Sequence, residues 1–274
     1  MAQPLARADL SDLATRLLSA AVLLPLALAA IWWGRWYFGG LVILLAGAMC
    51  WEWSSLCKAK LGPTVLIFAI VISSVFFTFG GAYREALICV ALGTLVLAVL
   101  ARNNASEAPV LLPLGAVYLS MGVVSIVWLR MAEQAGLALF VWMVTIVIAT
   151  DVGAYFAGRA IGGRKLAPRL SPGKTWSGLM GGIAGAVIFG VVAVKILKGN
   201  NYVLVGVLSG VLAVIAQGGD LIESAMKRHF GVKDAGNLIP GHGGALDRFD
   251  GFLTVAPATV LMTWVAGRSP LEWQ

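Results

Sequence analysis

Nine apolar segments, each close to the roughly 20 residues a helix needs to cross a bilayer, account for most of this 274-residue chain. They run approximately over 17–33, 37–56, 62–80, 86–101, 109–129, 137–158, 176–197, 202–226 and 251–267. The runs are apolar throughout rather than alternating, which specifies helices and argues against a transmembrane β-barrel. At 59% hydrophobic and 12% charged residues, the chain leaves no room for a soluble domain or a long linker. The expected fold class is therefore all-α: a polytopic integral membrane protein of about nine transmembrane helices. The first run, Leu17 to Trp33, follows Arg7 and Arg16 as a secretory leader would. It is long enough to span and precedes many further spans, so it is read as a helix that is kept. Cys50, Cys57 and Cys89 show no metal-binding spacing and are read as membrane-packed thiols in a reduced context.

Charge between the segments orients the chain. With nine spans, the N-terminus and the loops at 57–61, 102–108, 159–175 and 227–250 share one side, with fourteen of the 20 Lys and Arg. By the positive-inside rule that side is cytoplasmic. The predicted setting is the inner, cytoplasmic membrane of the cell, with a polar site facing the cytoplasm. The net charge of +7 suits anionic lipid or anionic substrates, and no soluble basic domain exists to bind nucleic acid.

The polar residues are unevenly placed. Segments one to five, within 1–136, are plain, whereas 137–274 carries polar groups inside or beside its segments and holds the loops 159–175 and 227–250. Ionisable groups in or beside a membrane cost free energy and mark functional sites. At helical spacing Gln217, Asp220, Ser224, Lys227 and Arg228 fall on one stripe, with Asp220 and Lys227 roughly 10 Å apart. A buried Asp220 needs a cation, either a side chain or a metal ion; the bland reading is an intrahelical Asp–Lys or Asp–Arg network. In the following loop, beside Lys233, the run Pro240-Gly241-His242-Gly243-Gly244 has little bulk, and its backbone N–H groups could approach an anion closely. Asp247 and Asp250 follow at i, i+3 and could face one point. With Asp220 they would form a hard-oxygen site suited to Mg²⁺, ringed by Lys227, Arg228, Lys233 and Arg248 as phosphate-neutralising cations. That combination suggests metal-assisted phosphoryl or nucleotidyl transfer. His242 reads equally as a phosphate donor, a general base or a turn residue.

The second polar loop carries Arg159, Arg164, Lys165, Arg169 and Lys174 with Ser171 and Thr175, preceded by Asp151 and Tyr155 in the sixth segment. Gly173-Lys174-Thr175 imitates the end of a P-loop, but Pro168 stands where that motif needs glycine, and no strand pattern precedes it. A Walker A reading is rejected, and an anion-binding surface remains. Positive-inside charge explains the cations but not Asp151 or the Ser-Pro-Gly-Lys-Thr turn.

Ser224-x-x-Lys227-Arg228, Lys233-Asp234, Pro240-Gly241-His242-Gly243-Gly244 and Leu246-Asp247-Arg248-Phe249-Asp250 closely resemble the phosphatidate cytidylyltransferases, also called CDP-diacylglycerol synthases. The resemblance extends to Gly219-Asp220, Ser171-Pro172-x-Lys174-Thr175 and Asp151-x-x-Ala154-Tyr155-x-x-Gly158-Arg159, and more weakly to Thr15-Arg16 and Trp51-Glu52-Trp53. It implies transfer of CMP from CTP to phosphatidic acid, giving CDP-diacylglycerol and pyrophosphate, with Mg²⁺, alone or with a second cation. Carried over, Asp220, Asp247 and Asp250 are metal-site carboxylates, and Lys227, Arg228 and Arg248 are phosphate-binding cations. Asp151, Tyr155, Arg159, Ser171, Lys174, Thr175, Ser224, Lys233, His242, Gly243 and Gly244 belong to the substrate surface. Ser177 stands where the family often has Glu, so no carboxylate role falls there.

The alternative is an ion- or proton-coupled transporter using Asp151, Asp220 and Glu223. It predicts polar residues spread through both leaflets and perhaps a repeat, whereas these cluster toward one side. A CDP-alcohol phosphotransferase would need D-G-x-x-A-R…G-x-x-x-D-x-x-x-D, which is missing from the sequence. A lipid scaffold would not need Asp247 and Asp250. Pairing into a homodimer through helix faces is compatible with such a chain. Gly181-Gly182-x-x-Gly185 would suit close packing there or, as expected here, within one chain.

Overall fold

The computed structural model describes residues 5–132, 136–238 and 243–266. Among them are nine α-helices: α1 (Leu5–Trp33), α2 (Arg35–Leu56), α3 (Leu61–Phe79), α4 (Tyr83–Leu100), α5 (Leu111–Met131), α6 (Gly136–Ala160), α7 (Trp176–Ile196), α8 (Tyr202–His229) and α9 (Leu246–Ala266). Each expected apolar segment corresponds to one helix. In hydrocarbon every backbone N–H and C=O must be satisfied internally, which a helix does within its own segment. Against about nine expected spans, seven helices, α2 to α8, are long and apolar enough to cross a membrane among the described residues; in α1 the apolar stretch Ala21–Trp33 is shorter, and α9, which carries Asp247, Arg248 and Asp250 in its first turns, is not among the seven. The chain is an all-α, multi-pass membrane protein.

The breaks between helices follow from local chemistry. Gly34, at φ 68°, ends α1, and Arg130 of α5 donates from Nε and Nη2 to the Ile31 carbonyl at 2.9 and 2.7 Å, satisfying an oxygen that the end of α1 leaves open. Asn201 caps α8 by accepting from the Leu204 N–H at 3.1 Å, and Thr175 caps α7 by accepting from Gly178 at 3.0 Å. A turn of π-helix over Ala101–Ala105 leads out of α4.

Helix α5 is central: 61% of its apolar stretch is buried, against 22% for α4 and for α7, and it packs on α2, α3, α4, α6 and α9. Helices α6 and α7 form the most extensive pair. Their close approach depends on glycine: a Cβ at Gly153 would lie 2.4 Å from the Gly181 carbonyl oxygen, and one at Gly185 would lie 2.7 Å from that of Ala149. The Gly181-Gly182-x-x-Gly185 run is thus used within one chain. Cys50 and Cys57 are buried, Cys89 is partly so, and all three are free thiols.

The 159–175 loop is more ordered than expected. It contains an antiparallel pair, β1 (Lys165–Ala167) and β2 (Ser171–Thr175), with an irregularity between Lys165 and Ala167. Strands this short, one with a proline, are too brief to show alternation in sequence. Gly173-Lys174-Thr175 lies in β2 and runs straight into α7, so it is not a phosphate-cradling loop.

Contacts gather the polar loops at one end of the bundle. Glu107 pairs with Lys58 at 2.8 Å, Arg228 Nε donates to the Leu170 carbonyl at 3.4 Å, and Glu52 accepts from the backbone at the start of α9.

Candidate active site

A cavity of about 550 Å³ opens between α6, the β1–β2 hairpin, α7 and α8. Its wall includes Asp151, Tyr155, Arg159, Ser171, Lys174, Thr175, Gln217 and Asp220. Seven of these eight were expected site residues, drawn from three separate stretches of sequence; Gln217 had been placed only on the α8 stripe. Asp151, Tyr155 and Arg159 recur every four residues, so one face of α6 presents all three. Arg159 Nη1 donates to the Tyr155 hydroxyl at 2.7 Å, which holds the guanidinium over the cavity rim.

Hairpin and helix meet through one ion pair. Lys174 Nζ on β2 lies 2.6 Å from Asp220 Oδ2 on α8 and also donates to the Gln217 carbonyl at 3.3 Å. The other oxygen of Asp220 accepts from Ser224 Oγ at 3.3 Å. The partner of Asp220 is therefore a cation from another element, not the intrahelical Lys227 or Arg228 of the bland reading. Ser177, at the position where the resemblance led one to look for Glu, donates to the Gly162 carbonyl and bonds Thr175, fastening the hairpin to the start of α7.

Lys227, two turns further along α8, has different partners. Its ammonium is 14% exposed and lies 3.0 Å from Glu223 Oε1 and 2.7 Å from Asp247 Oδ1. Asp247, in the first turn of α9, also accepts from the Ala235 N–H at 3.0 Å and the Gly244 N–H at 3.1 Å. Burial pushes the Asp247 carboxyl up, but Lys227 and the two backbone donors outweigh it and hold the group below the ordinary carboxylate value. Glu52, 2% exposed in α2, accepts from the N–H groups of Ala245 at 2.9 Å and Leu246 at 2.8 Å. A Cβ at Gly244 would come within 2.8 Å of Asp247 Oδ2 and 2.9 Å of Glu52 Oε1, and one at Gly236 within 2.6 Å of Glu52 Oε1. The backbone N–H groups of Gly244, Ala245 and Leu246 do hold anions, but these are the protein's own carboxylates, Asp247 and Glu52. Gly243, at φ 86°, makes the left-handed turn into this stretch.

Asp250 lies one turn beyond Asp247, with Oδ1 accepting from the Gly251 N–H at 2.7 Å and its carbonyl accepting from the Tyr118 hydroxyl at 3.4 Å. The Asp250 backbone packs against Gly219, the neighbour of Asp220: a Cβ at Gly219 would come within 3.0 Å of the Asp250 carbonyl oxygen. The structure therefore brings Asp220 and Asp250 toward one region and commits Asp247, with Lys227, to a neighbouring buried cluster. Among the described residues no three His, Cys, Asp or Glu side chains form a metal cage. The donor chemistry of Asp220 and Asp250 nonetheless fits Mg²⁺, which is commonly held by one or two carboxylates and completed by substrate phosphates and water.

The remaining expected residues lie around this centre. Arg228 is exposed and donates to the carbonyls of Leu170 and Val232, tying α8 to the hairpin and the next turn. Lys233 and Arg248 are exposed beside the glycine-rich loop. His242 lies outside the described residues. Two buried carboxylates outside the expected site residues, Glu52 and Glu223, carry structural weight: Glu52 holds the start of α9 and Glu223 pairs with Lys227. Glu52 is marked as the lone acid of the second apolar segment, whereas Glu223 shares the eighth with Asp220.

Comparison with known proteins places the chain in a family. A model of the cytidylyltransferase family matches residues 14–266. The phosphatidate cytidylyltransferase of Brucella suis biovar 1 (strain 1330) is 36% identical over 253 residues, 90% of this chain and 92% of that protein. That of Pseudomonas aeruginosa PAO1 is 33% identical over 271 residues, 92% of this chain and 97% of the relative. That of Bacillus subtilis (strain 168) is 42% identical over 145 residues, covering 53% and 54%. The match takes in every described helix that lines the cavity, and this chain belongs to the cytidylyltransferase family.

Proposed function

We propose that this protein is a phosphatidate cytidylyltransferase: it transfers CMP from CTP to phosphatidic acid, releasing pyrophosphate and leaving CDP-diacylglycerol in the bilayer. The observation that carries this reading is the cavity joining Arg159, Lys174 and Asp220 at the polar end of an otherwise apolar bundle. A lipid phosphate can reach such a site along the membrane surface, and a nucleotide can reach it from water. The named activity of the Brucella and Pseudomonas relatives supports the same reaction.

In the proposed step a phosphate oxygen of phosphatidic acid attacks the α-phosphorus of CTP. A new P–O bond forms there, the bond to the β-phosphate oxygen breaks, and pyrophosphate leaves. The nucleophile is already an anion at neutral pH, so no strong general base is required. The barrier is repulsion between two polyanions, which preorganised positive charge relieves. Lys174 and Arg159 contribute that charge from the cavity wall, and Arg228, Lys233 and Arg248 add exposed positive charge at the same end of the bundle. Asp220 and Asp250 would hold Mg²⁺, which supplies charge neutralisation of the phosphates when bound. Ser171 lines the hairpin side, where its hydroxyl can orient a phosphate, while Thr175 fastens the hairpin to the start of α7. Asp247 with Lys227, and Glu52, fix the start of α9 and hence Asp250.

The cations at this end support an inner-membrane protein whose site faces the cytoplasm. Purified protein in mixed micelles should convert labelled CTP and phosphatidic acid to CDP-diacylglycerol only with a divalent metal. Folded protein without turnover under those conditions refutes the assignment.

A further inference from the structure

We infer that Lys174 acts as a resident counter-ion that occupies Asp220 until substrate phosphate draws it away, so that nucleotide and divalent cation bind with positive cooperativity. The inference rests on the cytidylyltransferase reading and adds an order of events to it. Its basis is one oxygen. Asp220 Oδ2 lies 2.6 Å from Lys174 Nζ, and the opposite oxygen already accepts from Ser224. The side chains of Lys174 and Asp220 are 17% and 39% exposed, and both line the cavity, so the pair is partly buried in its wall. A cation that binds Asp220 must displace or share with the ammonium, and two positive charges cannot both approach one oxygen closely.

The ammonium has somewhere to go. Lys174 is carried by a two-stranded hairpin, and its second acceptor, the Gln217 carbonyl, is a 3.3 Å contact to a neutral group. Four single bonds let the head swing into the cavity, where Arg159 marks the other cationic wall. An incoming phosphate therefore offers Lys174 a stronger partner and uncovers Asp220 in the same motion. By linkage, a ligand that takes Lys174 raises cation affinity, and the cation raises affinity for that ligand by the same factor. With no substrate present, the pair keeps the site electrically satisfied.

The test uses Mn²⁺ alone, measured by electron paramagnetic resonance at pH 8 on detergent-purified full-length protein without nucleotide or lipid. Lys174→Met should bind Mn²⁺ at least about tenfold more tightly than wild type, inside the roughly 5- to 150-fold span of coupled sites. Lys174→Gln serves as a second variant with a similar expected gain. Arg159→Met removes a positive charge from the same cavity without touching Asp220, and should gain less than about threefold, as expected of a screened, through-solvent charge. Adding Asp220→Asn to Lys174→Met should abolish the gain. An equal gain in Arg159→Met, or none in either Lys174 variant, overturns the proposal even if wild type is active. Lack of Mn²⁺ binding in every variant overturns it together with the cation-site reading, and loss of turnover in wild type identifies that case.

Discussion

Glu52 and Leu246 are separated by 194 positions in the chain and by 2.8 Å in space. The carboxylate of α2 accepts the backbone N–H groups of Leu246 and its neighbour Ala245, at the start of α9, in a site closed to water. Those donors have no intrahelical partner, as at any helix N-terminus, and the positive end of the α9 dipole favours an anion there.

Glu52→Ala should therefore be strongly destabilising. Two buried N–H groups would lose their acceptor, at about 1–3 kcal/mol each. Glu52→Gln keeps one carbonyl oxygen and should lose less. Thermal unfolding in detergent reads both. Turnover should fall in parallel, because Asp250 sits in the next turn of α9. An unchanged midpoint in Glu52→Ala would show that the cap contributes nothing.

The buried cluster of Glu223, Lys227 and Asp247 makes a second prediction. Asp247→Ala strands the Lys227 ammonium beside Glu223 alone and leaves the Ala235 and Gly244 N–H groups without an acceptor. Breaking a buried pair from one side costs about 3–5 kcal/mol. Replacing all three charged partners together, Glu223→Leu, Lys227→Met and Asp247→Leu, leaves no stranded charge and should recover part of that loss. The pH dependence has a definite sign. Asp247 is held below its ordinary value, so its contribution is full above the unfolded carboxylate value, near about pH 4, and is lost as pH falls through the lowered one. Wild type should lose this share on acidification and Asp247→Asn should not. Identical acid limbs for the two proteins would remove Asp247 from the account.

Glycine packing between α6 and α7 supplies a third. A Cβ at Gly181 would lie 2.2 Å from the Ala157 Cβ and 2.7 Å from the Gly153 carbonyl oxygen. Gly181→Leu should thus force the helices apart, at about 1–3 kcal/mol or more. It would also shift Asp151 and Arg159 on α6 relative to Lys174 on β2. We expect a lower melting point and a lower kcat, with the oligomeric state unchanged by light scattering. A variant that instead alters only self-association would assign the glycine face to contacts between copies.

The bundle was legible because continuous apolar runs in a membrane admit one secondary structure. The cavity was largely legible as well, since Asp151, Arg159, Lys174 and Asp220 are polar groups that an apolar chain does not carry without cause. What sequence could not show was partner choice. Asp220 and Lys227 share a helical stripe, yet one turns to Lys174 and the other to Asp247, because β2 and α9 approach α8 from different sides. Gly243 and Gly244 were legible as a low-bulk anion site, but that Gly244 binds Asp247 while the next two N–H groups bind Glu52, far away in sequence, was not. The β1–β2 hairpin escaped notice because three- and five-residue strands show too little alternation to read.

Sidedness gives the last test. Cys50 and Cys57 are buried, and Cys89 is replaced by serine to give a quiet background for labelling. Arg169, in the hairpin, and Lys233, after α8, are both exposed and lie at the end of the bundle where Arg228 ties α8 to Leu170. Lys198, between α7 and α8, belongs to the opposite end. Single Arg169→Cys and Lys233→Cys variants in intact cells should resist a membrane-impermeant maleimide and react only after the inner membrane is opened. Lys198→Cys should react from outside once the reagent reaches the periplasmic or outer surface. Labelling of Lys233→Cys in intact cells would reverse the orientation and, with it, the access of cytosolic CTP to Lys174 and Asp220.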